Sequence, residues 1–218
     1  MDNKFISLTP EVYRYVLEHR SDHDPVLAEL ARETEALGPV ALMQIAPEQG
    51  AFMTLLTRAI GARRAVEVGT FTGYSALCVA RGLPDDGRLL CCDINEEWTS
   101  IGRRYWEKAG VARKIDLRLG PAADTLRSLP LEPQFDIGFV DADKTSYKTY
   151  YEEILARLRP NGLLLFDNVL WMGAVADPGN QSEDTVALRE LNAALARDPR
   201  VEVVMLPVAD GLTIVRKK

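Results

Sequence analysis

Two short segments of the 218-residue chain place oxygen donors where metal chemistry would use them. Phe139-Val140-Asp141-Ala142-Asp143-Lys144 closes an apolar run with a carboxylate, and Phe166-Asp167-Asn168 closes another with a carboxylate and an amide. If the two runs are adjacent parallel strands, Asp141, Asp167 and Asn168 converge at one edge of the sheet. Three oxygen donors without His or Cys suit a hard divalent cation, Mg²⁺ before Zn²⁺, with the remaining positions left to water or substrate. Helix capping explains a single strand-end acid as well as this does, but it explains an adjacent Asp-Asn pair poorly. Lys144 follows Asp141 by one turn and can fold back to the same edge. A desolvated lysine beside a cation is a candidate general base, whereas a lone lysine elsewhere is a solvated one. Trp171, in the loop directly after Asp167-Asn168, stands where loops line ligand sites and is a candidate acceptor contact alongside Lys144 and Asn168.

A second constellation belongs to a nucleoside. Glu67-Val68-Gly69-Thr70-Phe71-Thr72-Gly73-Tyr74-Ser75 ends an apolar run with glycines that allow a tight turn and a close approach of backbone to ligand. A dinucleotide site calls for Gly-x-Gly-x-x-Gly here, so that a pyrophosphate rests on the helix N-terminus. Instead a carboxylate, Glu67, precedes the first glycine; its sign is wrong for a pyrophosphate and right for an ammonium and a sulfonium. Asp93 ends the next run, where an acid can accept from both hydroxyls of a ribose. Taken alone, the glycine turn could be only a turn and Asp93 only a helix cap.

The elements that must hold these residues follow from periodicity. Short apolar runs at Ala65 to Val68, Leu89 to Cys92, Ile115 to Leu119, Phe135 to Val140 and Leu163 to Phe166 alternate with helical segments, the pattern of a parallel sheet covered on both faces. Val201 to Leu206 and Leu212 to Val215 are separated by Pro207-Val208-Ala209-Asp210-Gly211, which spaces them as a hairpin. Three helices come first. Thr9-Pro10-Glu11 and Asp24-Pro25 supply caps and first-turn prolines, and a third helix runs from about Pro47 to Gly61. The chain therefore reads as one domain over 1–218, with a helical segment at 1–60 and a Rossmann-like α/β core at 61–218.

Composition narrows the functions available. With 47% apolar and 27% charged residues the chain can bury a sizeable core, and a net charge of −6 without a basic run argues against tracking a nucleic-acid backbone. Cys78, Cys91 and Cys92 sit in apolar stretches and read as buried small hydrophobes in a reducing compartment. No signal-like run follows Met1-Asp2-Asn3-Lys4 and no stretch is long enough to span a bilayer, so a cytoplasmic location without membrane attachment is the expectation. His19 and His23 share helical spacing but lack a third ligand and read as surface residues. Trp98 and Trp106 read as packing aromatics, and Met43 either as core or as a cover for the cofactor.

Together these motifs resemble the cation-dependent class I O-methyltransferases that include catechol and caffeoyl-CoA O-methyltransferases. The likeness runs from about Gln44 to Arg216, strongest in Glu67 to Ser75, Phe139 to Lys144 and Leu165 to Trp171. It implies a seven-stranded mixed sheet of order 3-2-1-4-5-7-6 with the last strand antiparallel, helices on both faces, and S-adenosylmethionine as methyl donor. By the same likeness Glu67, Gly69, Thr70 and Ser75 hold the methionine part of that cofactor, Asp93 the ribose, and Gly120 to Ala122 the adenine. Met43 falls near the reactive methyl, and Asp141 is shared between cofactor and metal. Asp141, Asp167 and Asn168 match the ligands of Mg²⁺, or of Mn²⁺ or Ca²⁺ in its place, and Lys144 the base. Animal catechol methyltransferases carry His-Trp where this chain has Ala142-Asp143, which is closer to the plant and bacterial branch. The loop that shapes the thioester site of caffeoyl-CoA enzymes is short here, around Pro178 to Ser182. The expected reaction is methylation of a hydroxyl on a small catechol-like aromatic by a homodimer. The competing readings are an NAD-dependent oxidoreductase, which the turn sequence disfavours, a methyltransferase of protein or nucleic acid, which would show a basic face or an added domain, and a nucleoside-binding module, which has no use for a metal triad.

Overall fold

Each strand of the core alternates its side chains between two helical layers, and the sequence supplies apolar residues for both. A computed structural model describes residues 6–21 and 24–218; His23 and the Met1-Asp2-Asn3-Lys4 start lie outside them. Ahead of the sheet come α1 (Pro10–Glu18), α2 (Pro25–Glu35) and α3 (Pro47–Ala59). The Thr9 side chain accepts from Val12 N and that of Asp24 from Val26 N, so both predicted caps form. A 3-10 segment, Gly38–Met43, intervenes before α3 and carries Met43.

The sheet consists of β1 (Arg64–Val68), β2 (Arg88–Asp93), β3 (Ile115–Leu119), β4 (Phe135–Val140), β5 (Leu158–Phe166), β6 (Val201–Leu206) and β7 (Leu212–Lys217). Their order is 3-2-1-4-5-7-6, with β1 to β5 mutually parallel and β7 antiparallel to both β5 and β6. Helices α4 (Tyr74–Gly82), α5 (Glu96–Lys108), α6 (Ala122–Arg127), α7 (Tyr147–Arg157) and α8 (Glu183–Leu195) complete the chain. Strand β5 starts five residues earlier than its apolar run, at Leu158, which pairs with Phe135 across a register irregularity. Asn161 turns the chain there through a left-handed conformation, φ 63°.

Period-2 alternation divides the core in two. Leu89, Cys91, Ile137, Phe139, Leu163 and Leu165 face α2 to α5, while Val66, Val68, Leu90, Cys92, Val140, Leu164 and Phe166 face α6 to α8. All three cysteines are buried and none is in a disulfide among the described residues. Helix α3 packs on α4 so closely that a Cβ at Gly82 would collide with Thr57. No helix among the described residues is long and apolar enough to cross a membrane.

Candidate active site

The carboxyl ends of β1, β2, β4 and β5 meet at one edge of the sheet, and every predicted strand-end acid lies there. After Val68 the chain turns through Gly69 (φ 85°), Phe71 (φ 50°) and Gly73 (φ 81°), all left-handed. Gly69 is required twice over, because a Cβ on it would strike the Asp141 carbonyl as well as strain the backbone. Gly73 leads into α4 beneath the Trp106 indole, whose N–H donates to its carbonyl at 3.1 Å. Trp98 packs edge-on against Phe71, so both tryptophans act as packing aromatics around the turn.

Asp93 does more structural work than its sequence position suggested. One carboxylate oxygen accepts from Thr70 N (2.7 Å) and Phe71 N (2.8 Å), and the other from Asn95 N (2.8 Å). The acid at the end of β2 therefore shapes the glycine turn. Of roughly four lone-pair positions on a carboxylate, three are engaged, so capacity for a ribose hydroxyl is limited to what remains.

Glu67 is fully buried (0% exposed), and burial pushes its carboxyl up to about 8, against the opposing pull of the Ser75 and Thr70 hydroxyls and with the Asp141 and Asp93 charges adding to the rise. Its Oε2 and the Thr70 Oγ1 are both buried without a hydrogen-bond partner. Unpaired polar atoms at a buried site cost roughly 1 to 3 kcal/mol each, and a polar ligand would satisfy them. Ser75 is buried in the first turn of α4, and Ala122 at the start of α6. Just ahead of Ala122, Gly120 (φ 137°) has nothing within 4 Å of the position a Cβ would take, which leaves room for a flat base. Met43 is half-exposed. These features fit a nucleoside carrying an amino-acid end.

At the other end of the edge, Lys144 folds back as its spacing allows. Its Nζ, 6% exposed as a residue, donates to Asp141 Oδ1 (3.1 Å) and Asn168 Oδ1 (2.7 Å) and reaches the Tyr147 hydroxyl at 2.6 Å. Tyr147 OH in turn donates to the Asp167 carbonyl (3.2 Å). Two oxygens of the proposed ligand set thus already converge on one nitrogen. Asp167 is buried (2% exposed); burial and the neighbouring Asp141 charge push its carboxyl to about 7. Asp141 is also raised by burial, with Lys144 opposing. Two carboxyls that burial holds toward the neutral form, beside a neutral amide oxygen, are a donor set that a hard cation would ionise and hold. Among the described residues no three His, Cys, Asp or Glu side chains cluster; the set here is two carboxylates and Asn168. Asp143, the second acid of the same segment, turns away to accept from Tyr150 OH at 2.7 Å.

The wall of the site after β5 is built on left-handed backbone at Asn168 (φ 55°), Trp171 (φ 49°), Met172 (φ 51°) and Gly173 (φ 85°). The turn between β6 and β7 fixes it. Val169 N donates to Gly211 O, Leu170 N to Asp210 O, and Met172 N to the Asp210 side chain at 2.6 Å. Arg189 of α8 then donates to the carbonyls of Ala174, Val175, Asp177 and Asn180, pinning the segment that follows. Trp171 stands over Lys144, with Nζ 5.5 Å from the ring centroid, and Met172 is exposed.

The structure therefore brings Glu67, Gly69, Thr70, Ser75, Asp93 and Asp141 to the turn, and Asp141, Lys144, Asp167, Asn168 and Trp171 to one cluster beside it. His19, by contrast, stacks on Tyr15 (3.8 Å between centroids) away from both. Tyr147 and Asp210 were not anticipated. Tyr147 looked like one more core aromatic.

The family model for O-methyltransferases matches residues 17–218. The chain is 40% identical over 228 aligned residues to a caffeoyl-CoA O-methyltransferase of Petroselinum crispum, covering 99% of this chain and 94% of that protein. It is 38% identical over 231 residues to caffeoyl-CoA O-methyltransferase 2 of Zea mays, with 99% and 86% covered. Among solved structures, it superposes on an O-methyltransferase of Bacillus cereus in complex with S-adenosylhomocysteine (TM-score 0.87, 31% identity, 95% of this chain and 97% of that one). A similar match is the O-methyltransferase TomG of Streptomyces achromogenes in complex with S-adenosylmethionine (TM-score 0.87, 29% identity, 95% and 96% covered).

Proposed function

The chain belongs to the O-methyltransferase family and is an S-adenosylmethionine-dependent enzyme, and from that premise we propose that it methylates one hydroxyl of a small ortho-dihydroxy aromatic held by a divalent cation. The observation that carries the reading is the meeting of Asp141 Oδ1 and Asn168 Oδ1 at Lys144 Nζ, beside a turn with orphaned polar atoms on Glu67 and Thr70.

Asp141, Asp167 and Asn168 would hold the cation. When bound, it would draw two neighbouring acceptor oxygens into one orientation and lower the pKa of a phenolic hydroxyl from about 10. Lys144 takes the hydroxyl proton at Nζ. The Tyr147 hydroxyl, fixed by the Asp167 carbonyl, holds that Nζ at the same point. Glu67 faces the ammonium of the donor, and the glycine turn fixes its distance from the acceptor. Trp171, on a loop locked by Asp210, covers one side and excludes water. Alignment of two bound reactants is worth up to about 7 to 11 kcal/mol of the barrier, so rigid walls on both sides of the methyl are the main catalytic contribution of the fold. We also infer that the enzyme works as a homodimer in the cytoplasm and acts on neither nucleic acid nor membrane.

The test is methyl transfer to catechol, phenol, caffeate and caffeoyl-CoA, the last being the acceptor in the names of the parsley and maize relatives, with Mg²⁺ or with chelator. Turnover of ortho-diols that chelator abolishes is the expected result. Equal turnover of phenol and catechol, or activity that survives chelation, would sink the cation reading and leave a metal-independent O-methyltransferase.

A further inference from the structure

Helix α8 contributes nothing to the cluster of Asp141, Lys144 and Asn168, yet one of its side chains is wholly engaged by the wall beside it. The Arg189 guanidinium donates through Nε to Val175 O (2.9 Å), through Nη1 to Asn180 O (2.8 Å), and through Nη2 to Ala174 O (3.0 Å) and Asp177 O. A guanidinium carries five N–H donors in a fixed plane. Four of these therefore go to main-chain carbonyls of residues 174–180, and none of the four to a carboxylate. The wall needs such a clamp. Just ahead of it Asn168, Trp171 and Met172 hold left-handed backbone, which L-residues keep only where their surroundings over-determine it. Asp210 fixes the front of the segment through Met172 N. Behind, residues 176–179 are exposed and bury no side chain that could anchor them. The bonds within the stretch are local, Asp177 N to Ala174 O and Asn180 N to Asp177 O, both at 3.1 Å. The same helix packs against the 3-10 segment Lys144–Ser146 as well as against Trp171–Ala176.

We infer that Arg189 is a positioning residue for the acceptor: by gathering four carbonyls it holds residues 171–180 as one rigid wall, so that Trp171 stands over Lys144 before an acceptor arrives. The inference rests on the proposed acceptor site beside Lys144. Arg189 acts through Trp171, whose ring centroid lies 5.5 Å from Lys144 Nζ. A site whose wall is ordered for only part of the time binds its acceptor more weakly in proportion to that part. The loss then falls on the acceptor and spares the cofactor turn, which Asp93 shapes without help from this segment.

The test uses the full-length protein with Arg189→Met and Arg189→Lys. Initial rates with catechol and Mg²⁺ give KM and kcat, calorimetry gives S-adenosylhomocysteine affinity, thermal unfolding gives Tm, and amide hydrogen exchange reports on Asp177 and Asn180. For Arg189→Met the expected result is a catechol KM higher by about 10-fold, as for a wall ordered about one-tenth of the time. Its kcat and S-adenosylhomocysteine affinity should stay within twofold of wild type, and the Asp177 and Asn180 amides should exchange faster. Arg189→Lys, with three donors on a single nitrogen, should recover part of both effects. A wild-type KM in Arg189→Met despite faster exchange would separate the clamp from acceptor binding and overturn the inference. A joint fall of Tm and S-adenosylhomocysteine affinity that Arg189→Lys does not relieve would mark Arg189 as a packing residue and overturn it too. Wild-type turnover that survives chelation would remove the cation reading alone, since the KM comparison still decides the role of Arg189. Absence of methylation of catechol by the wild type would remove the acceptor reading, and this inference with it.

Discussion

Glu67→Gln is the substitution whose effect can be worked furthest from the structure. Burial raises the Glu67 carboxyl from an ordinary 4.5 to about 8, so the native state holds a proton that the unfolded chain releases earlier. Stability is then greatest below the unfolded value and is lost as pH rises toward 8. At about 1.36 kcal/mol per pH unit, the two titrations together remove about 4 kcal/mol between pH 5 and pH 9 in the ligand-free wild type. Every other group is common to both proteins, so the difference in unfolding free energy between Glu67→Gln and wild type isolates this one titration. Denaturant unfolding at several pH values should show that difference moving by about 4 kcal/mol in favour of the variant across this range. A second readout concerns the ligand. Near pH 7 about nine-tenths of the free protein carries the Glu67 proton, and a ligand ammonium favours the ionised form, so binding of S-adenosylhomocysteine should release close to one proton. Calorimetry in buffers of different ionisation enthalpy measures that release, and it should vanish in the variant. A stability difference that stays flat with pH, or equal proton release by both proteins, would show that Glu67 is already ionised in the free enzyme and would refute the argument.

Lys144→Met should lower turnover of catechol by about 10² to 10⁴ if the lysine is the base; S-adenosylhomocysteine affinity should stay within twofold, and weakened cofactor binding at normal turnover would contradict the assignment. Gly69→Ala and Gly61→Ala form a matched pair, since both glycines have positive φ but only Gly69 has the Asp141 carbonyl where the Cβ would go. Gly61→Ala should cost about 1 kcal/mol from backbone strain alone, and Gly69→Ala clearly more, together with loss of S-adenosylhomocysteine binding. Equal losses in the two would mean that the close approach of β1 and β4 at the cofactor turn is not a constraint.

The sheet was largely legible because its central strands are largely apolar on both faces and its turns carry their own chemistry. The run Val201 to Leu206, Pro207 to Gly211 and Leu212 to Val215 announced an antiparallel pair at one edge, and the pair forms. The extra start of β5 at Leu158 was not legible, because Arg159-Pro160-Asn161-Gly162 reads as a turn and its pairing depends on a register irregularity with β4. In the site, one-turn spacing was enough to bring Lys144 to Asp141. Strand-end placement picked Asp141 over Asp143, and in the fold Asp141 meets Lys144 while Tyr150, seven residues past Asp143, takes the latter. Spacing could not show that Asp93 would use most of its oxygens on Thr70, Phe71 and Asn95 amides, since those bonds exist only once the glycine turn is folded. Asp210 acts across 38 residues of sequence on Met172, and only the closed fold makes such partners neighbours.

Strand β7 comes last along the sequence of this fold yet lies inside the sheet, between β5 and β6. During synthesis, then, β6 emerges with no strand to pair with, and β5 waits with one edge open. The turn that carries Asp210 and Gly211 and locks the Trp171 loop cannot dock until β7 slots between them. The residues of the cofactor turn, on β1 and β2, thus emerge well before those that complete the acceptor wall. The wall on the acceptor side of the site is completed only when β7 docks.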